Sequence, residues 1–265
     1  MPQQPPVLAL NLSAGYAGKS DVLRNIQLEV SAGQILGLVG ESGSGKSTLT
    51  LAVLQLLFLK NGYTKGSVRL NGRELVGLSE SQLREIRGRD IGLVLQSPTS
   101  SLNPALKIGT QLYETWRAHK PGSRKECTPI FLELLRSLNL DADEKFLQRK
   151  PSQISVGQAQ RVLIAMAILH HPALVIADEP TSALDAITQK EVLGIFRQLA
   201  RDRNIGILFV SHDLLAVSSL CDHIAILRNG EIVETGPTAR VLAAPQHSYT
   251  KQLVSTLPNI EFTPH

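Results

Sequence analysis

Residues 40–48, GESGSGKST, restrict what this chain can become more than any other stretch. They satisfy the phosphate-loop pattern GxxxxGK[ST] at each fixed position, with Gly40 and Gly45 framing the loop and Lys46 and Ser47 closing it. The apolar, β-rich segment QILGLVG precedes the loop, and STLTLAVLQLLFL, apolar enough for a buried helix, follows it. The pattern therefore sits in the strand–loop–helix setting that its chemistry requires. Glycines at 40, 43 and 45 let the backbone come close to ligand oxygens without a Cβ in the way. Amide N–H groups along Ser42, Gly43, Ser44 and Thr48 form a concave anion site, and the helix beginning near Ser47 adds its positive dipole end. Lys46 brings a point charge for terminal phosphates, and Ser47 a hydroxyl for magnesium. A Gly/Ser-rich turn with an incidental lysine is the plainer reading, and the flanking strand and helix count against it.

With 265 residues the chain can bury a substantial core, as one large domain or two small ones. Its longest apolar run, residues 49–59, is too short for a bilayer and is interrupted by Thr50 and Gln55. The N-terminal MPQQPPVLAL has no basic side chain before Lys19, which is unlike a secretory leader, so a cytoplasmic setting is expected. The net charge of +4 comes from 27 basic and 23 acidic residues that are interspersed; even Arg84, Arg87 and Arg89 are diluted by Glu85 and Asp90. That describes a solvated surface better than a nucleic-acid footprint. Two cysteines, Cys127 and Cys221, are too few for a disulfide framework or a four-thiolate metal site, and are expected as buried small apolar residues.

Ahead of the loop, VLALNL and IQLEV have strand-like content after a Pro/Gln tail at residues 1–6. Between them Tyr16 lies in SAGYAGKS, where an aromatic ordinarily packs on its own domain. Beyond the first helix, Asn71-Gly72 marks a hairpin turn, and RDIGLVL reads as a buried strand ending at Gln96. Residues 106–149 turn helical, with helices near IGTQLYETWRAH and PIFLELLRSL, broken by Lys120-Pro121-Gly122 and by the acidic residues 141–144. PSQISVGQ then leads into the apolar helix AQRVLIAMAILH, with Ser155 as its cap. LVIADEP is a strand that carries Asp178 and Glu179 to its C-terminal edge, where open α/β sheets place ligands. The turn TSALD precedes an amphipathic helix with Val192, Phe196 and Leu199 on one face, and IGILFV ends in Ser211-His212-Asp213. DHIAIL and EIVETG flank a second hairpin turn, Asn229-Gly230. This order predicts a mainly parallel sheet with helices on both sides.

Taken in sequence, these motifs resemble the ATP-binding subunits of ABC transporters, from about Val7 to Leu253. GESGSGKST is similar to the Walker A loop, Gln96 to the Q-loop glutamine, ISVGQ to the signature motif, LVIADE to the Walker B strand, Ser182-Ala183-Leu184-Asp185 to the D-loop, and His212 to the switch histidine. The resemblance implies a RecA-like P-loop NTPase of the α/β class, with a mainly parallel sheet core, peripheral antiparallel β structure and an inserted helical subdomain at about 97–168. The ATP-binding domain would span 7–244, followed by a short C-terminal tail, 245–265. ATP and Mg2+ are implied, with Asp178 holding the metal through its water shell together with Ser47. Gln96 would sense the metal or the water, Glu179 would orient and deprotonate that water, and His212 would contact the γ-phosphate. Tyr16 is implied as the aromatic that stacks on adenine. Ser155, Val156, Gly157 and Gln158 are implied to act in trans, on the nucleotide of the opposite subunit in a head-to-tail dimer. Signatures in this family usually read LSGGQ, and here Val156 replaces the first glycine. A β-branched side chain beside a phosphate contact implies an altered or slower composite site.

More finely, QSPTSSLNP after the Gln96 strand and PQHSYTKQL near the C-terminus resemble segments of dipeptide, oligopeptide and nickel importers. The implied protein is the ATPase subunit of an importer for peptides or a related small solute, peripheral on the cytoplasmic face of the inner membrane. Its implied partners are membrane permease subunits, a second ATP-binding subunit and, indirectly, an extracytoplasmic solute-binding protein, with no nucleic acid. Val156 favours a heterodimer over a homodimer. It also motivates an alternative, a weakly hydrolytic ATP-binding regulatory partner; an exporter ATPase is another. A soluble relative acting on ribosomes or DNA would carry paired cassettes or long coiled-coil insertions, and neither is visible.

Overall fold

The computed structural model describes residues 5–18 and 21–257. Most of the expected Pro/Gln tail and the last residues of the expected C-terminal tail lie outside the described residues. The chain opens with β1 (Leu8–Tyr16), β2 (Leu23–Val30), β3 (Ile35–Val39) and α1 (Lys46–Val53). Next come β4 (Gly62–Leu70), β5 (Arg73–Glu74), α2 (Glu80–Ile86) and β6 (Ile91–Val94). A helical stretch follows, made of α3 (Pro98–Ser101), α4 (Ile108–Arg117), α5 (Arg124–Ser137), α6 (Glu144–Gln148) and α7 (Val156–Ile168). The remainder is β7 (Leu174–Asp178), α8 (Ala186–Arg203), β8 (Gly206–Ser211), α9 (Leu214–Leu220), β9 (His223–Arg228), β10 (Glu231–Pro237), α10 (Thr238–Ala243) and α11 (Ser248–Ser255).

The larger sheet has six strands in the order β10-β9-β3-β8-β7-β6, parallel from β9 to β6, with β10 antiparallel on its edge. β3 lies between β9 and β8 and is buried at every position, as its unbroken apolar run requires of a strand covered on both faces. Successive residues of β3 feed two cores: Ile35 and Val39 join one apolar cluster with α5, α7 and α8, while Leu36 and Leu38 join another with α1 and the antiparallel strands. That second sheet, β2-β1-β4-β5, is four-stranded and antiparallel. The mainly parallel core, the peripheral antiparallel sheet and the helical insertion therefore match the fold class read from sequence. At the hairpin turns Asn71 and Gly72 have φ of 48° and 77°, and Asn229 and Gly230 have 50° and 79°. Two successive positive-φ residues give the turn whose twist suits paired strands. Cys127 and Cys221 are free and buried, as expected. Among the described residues no helix is long and apolar enough to cross a membrane.

Local chemistry moved several boundaries. The apolar run after the loop is not one helix: α1 stops at Val53, Gln55 takes φ 53°, and Leu57–Lys60 forms a 3-10 turn that leaves Phe58 and Leu59 exposed. α5 starts before Pro129 because Ser123 and Glu126 cap it reciprocally, with Ser123 N donating to Glu126 Oε2 at 2.7 Å. The acidic residues Asp141 and Asp143 fall in the break between α5 and α6, as expected, and the second of them also starts the next helix: Asp143 Oδ1 accepts from Phe146 N at 2.7 Å at the head of α6. Asp213 does the same for α9, a helix that the sequence pattern did not reveal.

The sheet–helix spacing is set where β6 meets α7. A Cβ on Gly92 would lie 2.3 Å from the carbonyl oxygen of Ala167. Gly92→Ala is expected to cost about 1–3 kcal/mol, read as a lower urea midpoint at unchanged slope. A wild-type midpoint would show that the helix yields freely.

Candidate active site

The C-terminal ends of the parallel strands meet at a cavity of about 680 Å3, lined by the phosphate loop together with Val22, Gln96, Glu179, His212 and Leu253. Gly45 has φ 114°, a backbone state open to glycine, at the point where the loop becomes α1. Ser44, Lys46 and Thr48 are buried, whereas Ser42, Gly43 and Ser47 are exposed along the loop. Lys46 Nζ donates to the carbonyls of Gly40 at 2.7 Å and Glu41 at 3.1 Å, and stands 3.9 Å from Glu179 Oε1. Burial lowers the Lys46 pKa, against the opposing pull of Glu179 and Asp178.

β7 delivers the two carboxylates. Burial raises the Asp178 pKa, the adjacent Glu179 raises it further, and Lys46 opposes both. Glu179 has φ 52°, a left-handed backbone state that is strained for a side-chain-bearing residue. It is held there by a hydrogen bond from its own amide to Val210 O on β8, at 2.8 Å. Its Oε2 lies 2.7 Å from Nδ1 of His212, just past the end of β8. One carboxylate thus stands between the loop lysine and the histidine.

Other sequence candidates fall around this centre. Gln96, two residues past β6, is exposed and lines the cavity. Tyr16 is absent from the cavity wall; it is half-buried, with its hydroxyl 3.2 Å from Thr48 Oγ1. Ser182 and Leu184 line a second cavity of about 340 Å3, which shares Glu179 and His212 with the first. Ala183 is exposed beside them, and Asp185 caps α8 by accepting from the amides of Ile187 and Thr188. Ser155 to Gln158 lie away from both cavities. Ser155 and Gln158 close a capping box on α7, with Gln158 N donating to Ser155 Oγ at 3.2 Å and Ser155 N to Gln158 Oε1 at 3.0 Å. Val156 is 40% exposed, and a Cβ on Gly157 would lie 2.5 Å from Thr188 Cγ2. Val22 and Leu253 were not anticipated: Val22 belongs to no motif, and only the PQHSYTKQL resemblance pointed near Leu253.

A family model described as ABC transporter matches residues 23–182. The chain belongs to the ABC transporter family. This cassette is 37% identical over 247 residues to the oligopeptide transport ATP-binding protein OppD of Bacillus subtilis (strain 168), covering 93% of this chain and 69% of that one. It is 38% identical over 245 residues to the probable D,D-dipeptide transport ATP-binding protein DdpD of Escherichia coli (strain K12), covering 92% and 75%. Against the glutathione import ATP-binding protein GsiA of Salmonella typhimurium, identity is 36% over 96% of this chain but only 42% of that relative. Among solved structures, the dimeric bacterial ABC transporter cassette MJ0796 superimposes with a TM-score of 0.74 at 28% identity, covering 87% of this chain and 98% of that one. A post-hydrolysis dimer of the same cassette, bound to ADP and Pi, matches equally. CbiO1 from Clostridium perfringens, at 23% identity and a TM-score of 0.77, shares the fold. The protein is an ABC-type ATPase, as the ordered motifs implied.

The raised pKa of Asp178 makes the stability of the fold depend on pH. Its carboxyl stays protonated to higher pH folded than unfolded, so stability falls as pH rises from the unfolded value of about 3.9 toward the folded one. Asp178→Asn is expected to raise the melting temperature of the nucleotide-free protein at neutral pH, with the gain vanishing in acid below that window. A lower melting temperature at neutral pH would show that the ionised carboxylate stabilises the fold.

Proposed function

We propose that this ATPase drives an ABC importer for peptides or a related small solute. It would be peripheral on the cytoplasmic face of the inner membrane, working with a second ATP-binding subunit, with separate permease subunits and, through them, with an extracytoplasmic solute-binding protein. The observation that carries the catalytic part is the Glu179 carboxylate standing between Lys46 and His212 at the mouth of the phosphate loop. Import is supported by the similarity to OppD, DdpD and GsiA, which are transport or import ATP-binding proteins for oligopeptides, D,D-dipeptides and glutathione.

In this reading the loop amides and Lys46 take the ATP phosphates, and Lys46 exchanges the Gly40 and Glu41 carbonyls for phosphate oxygens. Glu179 is the general base for the attacking water, His212 orients that carboxylate and reaches the γ-phosphate, and Gln96, which lines the same cavity, contacts the water or the metal. Tyr16 stacks on adenine, a role supported by its hydrogen bond to Thr48 at the loop. The Ser47 hydroxyl and the Asp178 carboxylate are hard oxygen donors that fit magnesium, and Gln96 offers a further oxygen. Magnesium at such a site would keep water and phosphate among its ligands. When bound, magnesium neutralises charge on the phosphate oxygens.

Ser155, Val156, Gly157 and Gln158 serve the partner's nucleotide, and the D-loop residues Ser182 to Asp185 link that contact to Glu179. ATP closes such a dimer only by binding the closed state better than the open one, and cross-subunit γ-phosphate contacts supply the difference. Val156 makes this chain's signature the poorer of two, which favours a heterodimer.

Glu179→Gln is expected to keep ATP binding and to lose about 10²–10⁴-fold in magnesium-dependent phosphate release. Hydrolysis near the wild-type rate would remove Glu179 as the base. Purification from gently solubilised membranes is expected to bring permease subunits and a second cassette, and recovery without permeases would overturn the transport reading.

A further inference from the structure

The start of the phosphate loop is held by a residue far away in the chain. The amide of Glu41 donates to the Tyr249 hydroxyl at 3.1 Å, across 208 positions of sequence. Tyr249 belongs to α11 and is 4% exposed, with the Arg228 guanidinium 4.6 Å from its ring centroid. Burial pushes its phenol above the ordinary tyrosine range, so the hydroxyl remains neutral at physiological pH. The helix that carries it is itself fixed. Glu234 of β10 accepts from the amides of Gln246 at 2.8 Å and His247 at 3.0 Å, and Nδ1 of His247 accepts from Tyr249 N at 3.1 Å as the helix cap. One turn beyond Tyr249, on the same face of α11, Leu253 lines the nucleotide cavity.

Two further contacts connect this helix to the loop chemistry. The Glu41 carbonyl accepts from Lys46 Nζ, so the same residue is tied to Tyr249 through its amide and to the phosphate-binding lysine through its oxygen. Farther along the loop, Ser44 O accepts from Gly230 N at 3.0 Å, and Gly230 sits in the hairpin turn immediately after Arg228. Both flanks of the segment 41–44 are therefore braced by the C-terminal part of the chain.

We propose that Tyr249 is a positioning residue for ATP binding: its hydroxyl fixes the Glu41 peptide, so that α11 is part of the nucleotide site and its docking is coupled to nucleotide occupancy. The proposal rests on the reading of the cavity as the ATP site. A preorganised loop meets the phosphates without first losing conformational freedom, and a loop released from Tyr249 must be ordered by the ligand. Because coupling is reciprocal, bound nucleotide also steadies α11.

The test uses Tyr249→Phe in the full chain, which keeps the ring against Arg228 and removes only the hydroxyl. Expected are a Kd for ATP and a KM that rise about three- to tenfold, with kcat little changed and the melting temperature of the nucleotide-free protein close to wild type. In the wild type, ATP is expected to slow amide exchange across residues 248–255, and that slowing is expected to shrink in the variant. Wild-type Kd and KM in Tyr249→Phe, or exchange in α11 that ignores ATP in the wild type, overturns the proposal and leaves the ATP site standing. A wild-type protein that binds no ATP overturns both.

Discussion

Two carboxylates face one ammonium at the C-terminal edge of the central sheet, and the site depends on that imbalance. The order β3-β8-β7 brings Lys46, which follows β3, toward Asp178 and Glu179 at the end of β7. Burial disfavours the charged form of Lys46 and of Asp178, and proximity to Glu179 adds to the cost at Asp178. Lys46 donates hydrogen bonds to the loop carbonyls of Gly40 and Glu41. In the proposed function, ATP phosphates would give the lysine stronger acceptors and magnesium would set positive charge beside the carboxylates.

Glu179 is where this electrostatic arrangement meets backbone strain. Its left-handed φ is maintained by the hydrogen bond to Val210, and its carboxylate is held by His212. Glu179 and His212 also form the wall between the phosphate cavity and the smaller cavity next to Ser182 and Leu184. The two cavities therefore share a pair of side chains that are hydrogen-bonded to each other. Around them, α11 and the β9–β10 turn hold the loop from outside, so its shape depends on parts of the chain far apart in sequence.

The legible features were those whose chemistry is local. The loop residues, the Asn-Gly turns, the Ser155 cap and the carboxylate pair at a strand end each depend on a few neighbouring residues, and each is found as read. Helix limits were harder, because an apolar run cannot say where it turns: Leu49 and Leu57 are buried while Phe58 and Leu59, in the same run, face outward. The helix expected near PIFLELLRSL begins at Arg124, upstream of Pro129, because of the Ser123–Glu126 capping box. Tyr16 is adjacent to the loop but outside the cavity wall, and Val22 and Leu253 line it without belonging to any motif of the loop.

The amino-acid sequence by itself determined the α/β class, the phosphate loop, the order of motifs and hence the ABC family, because each is written in short patterns of φ preference, apolar period and charge. Tertiary structure alone decided that Glu179 lies between Lys46 and His212, that Asp178 is driven toward its neutral form, and that Tyr249 holds Glu41. Those relations depend on strand order and burial, which bring residues together across much of the chain, and no local pattern encodes such distances.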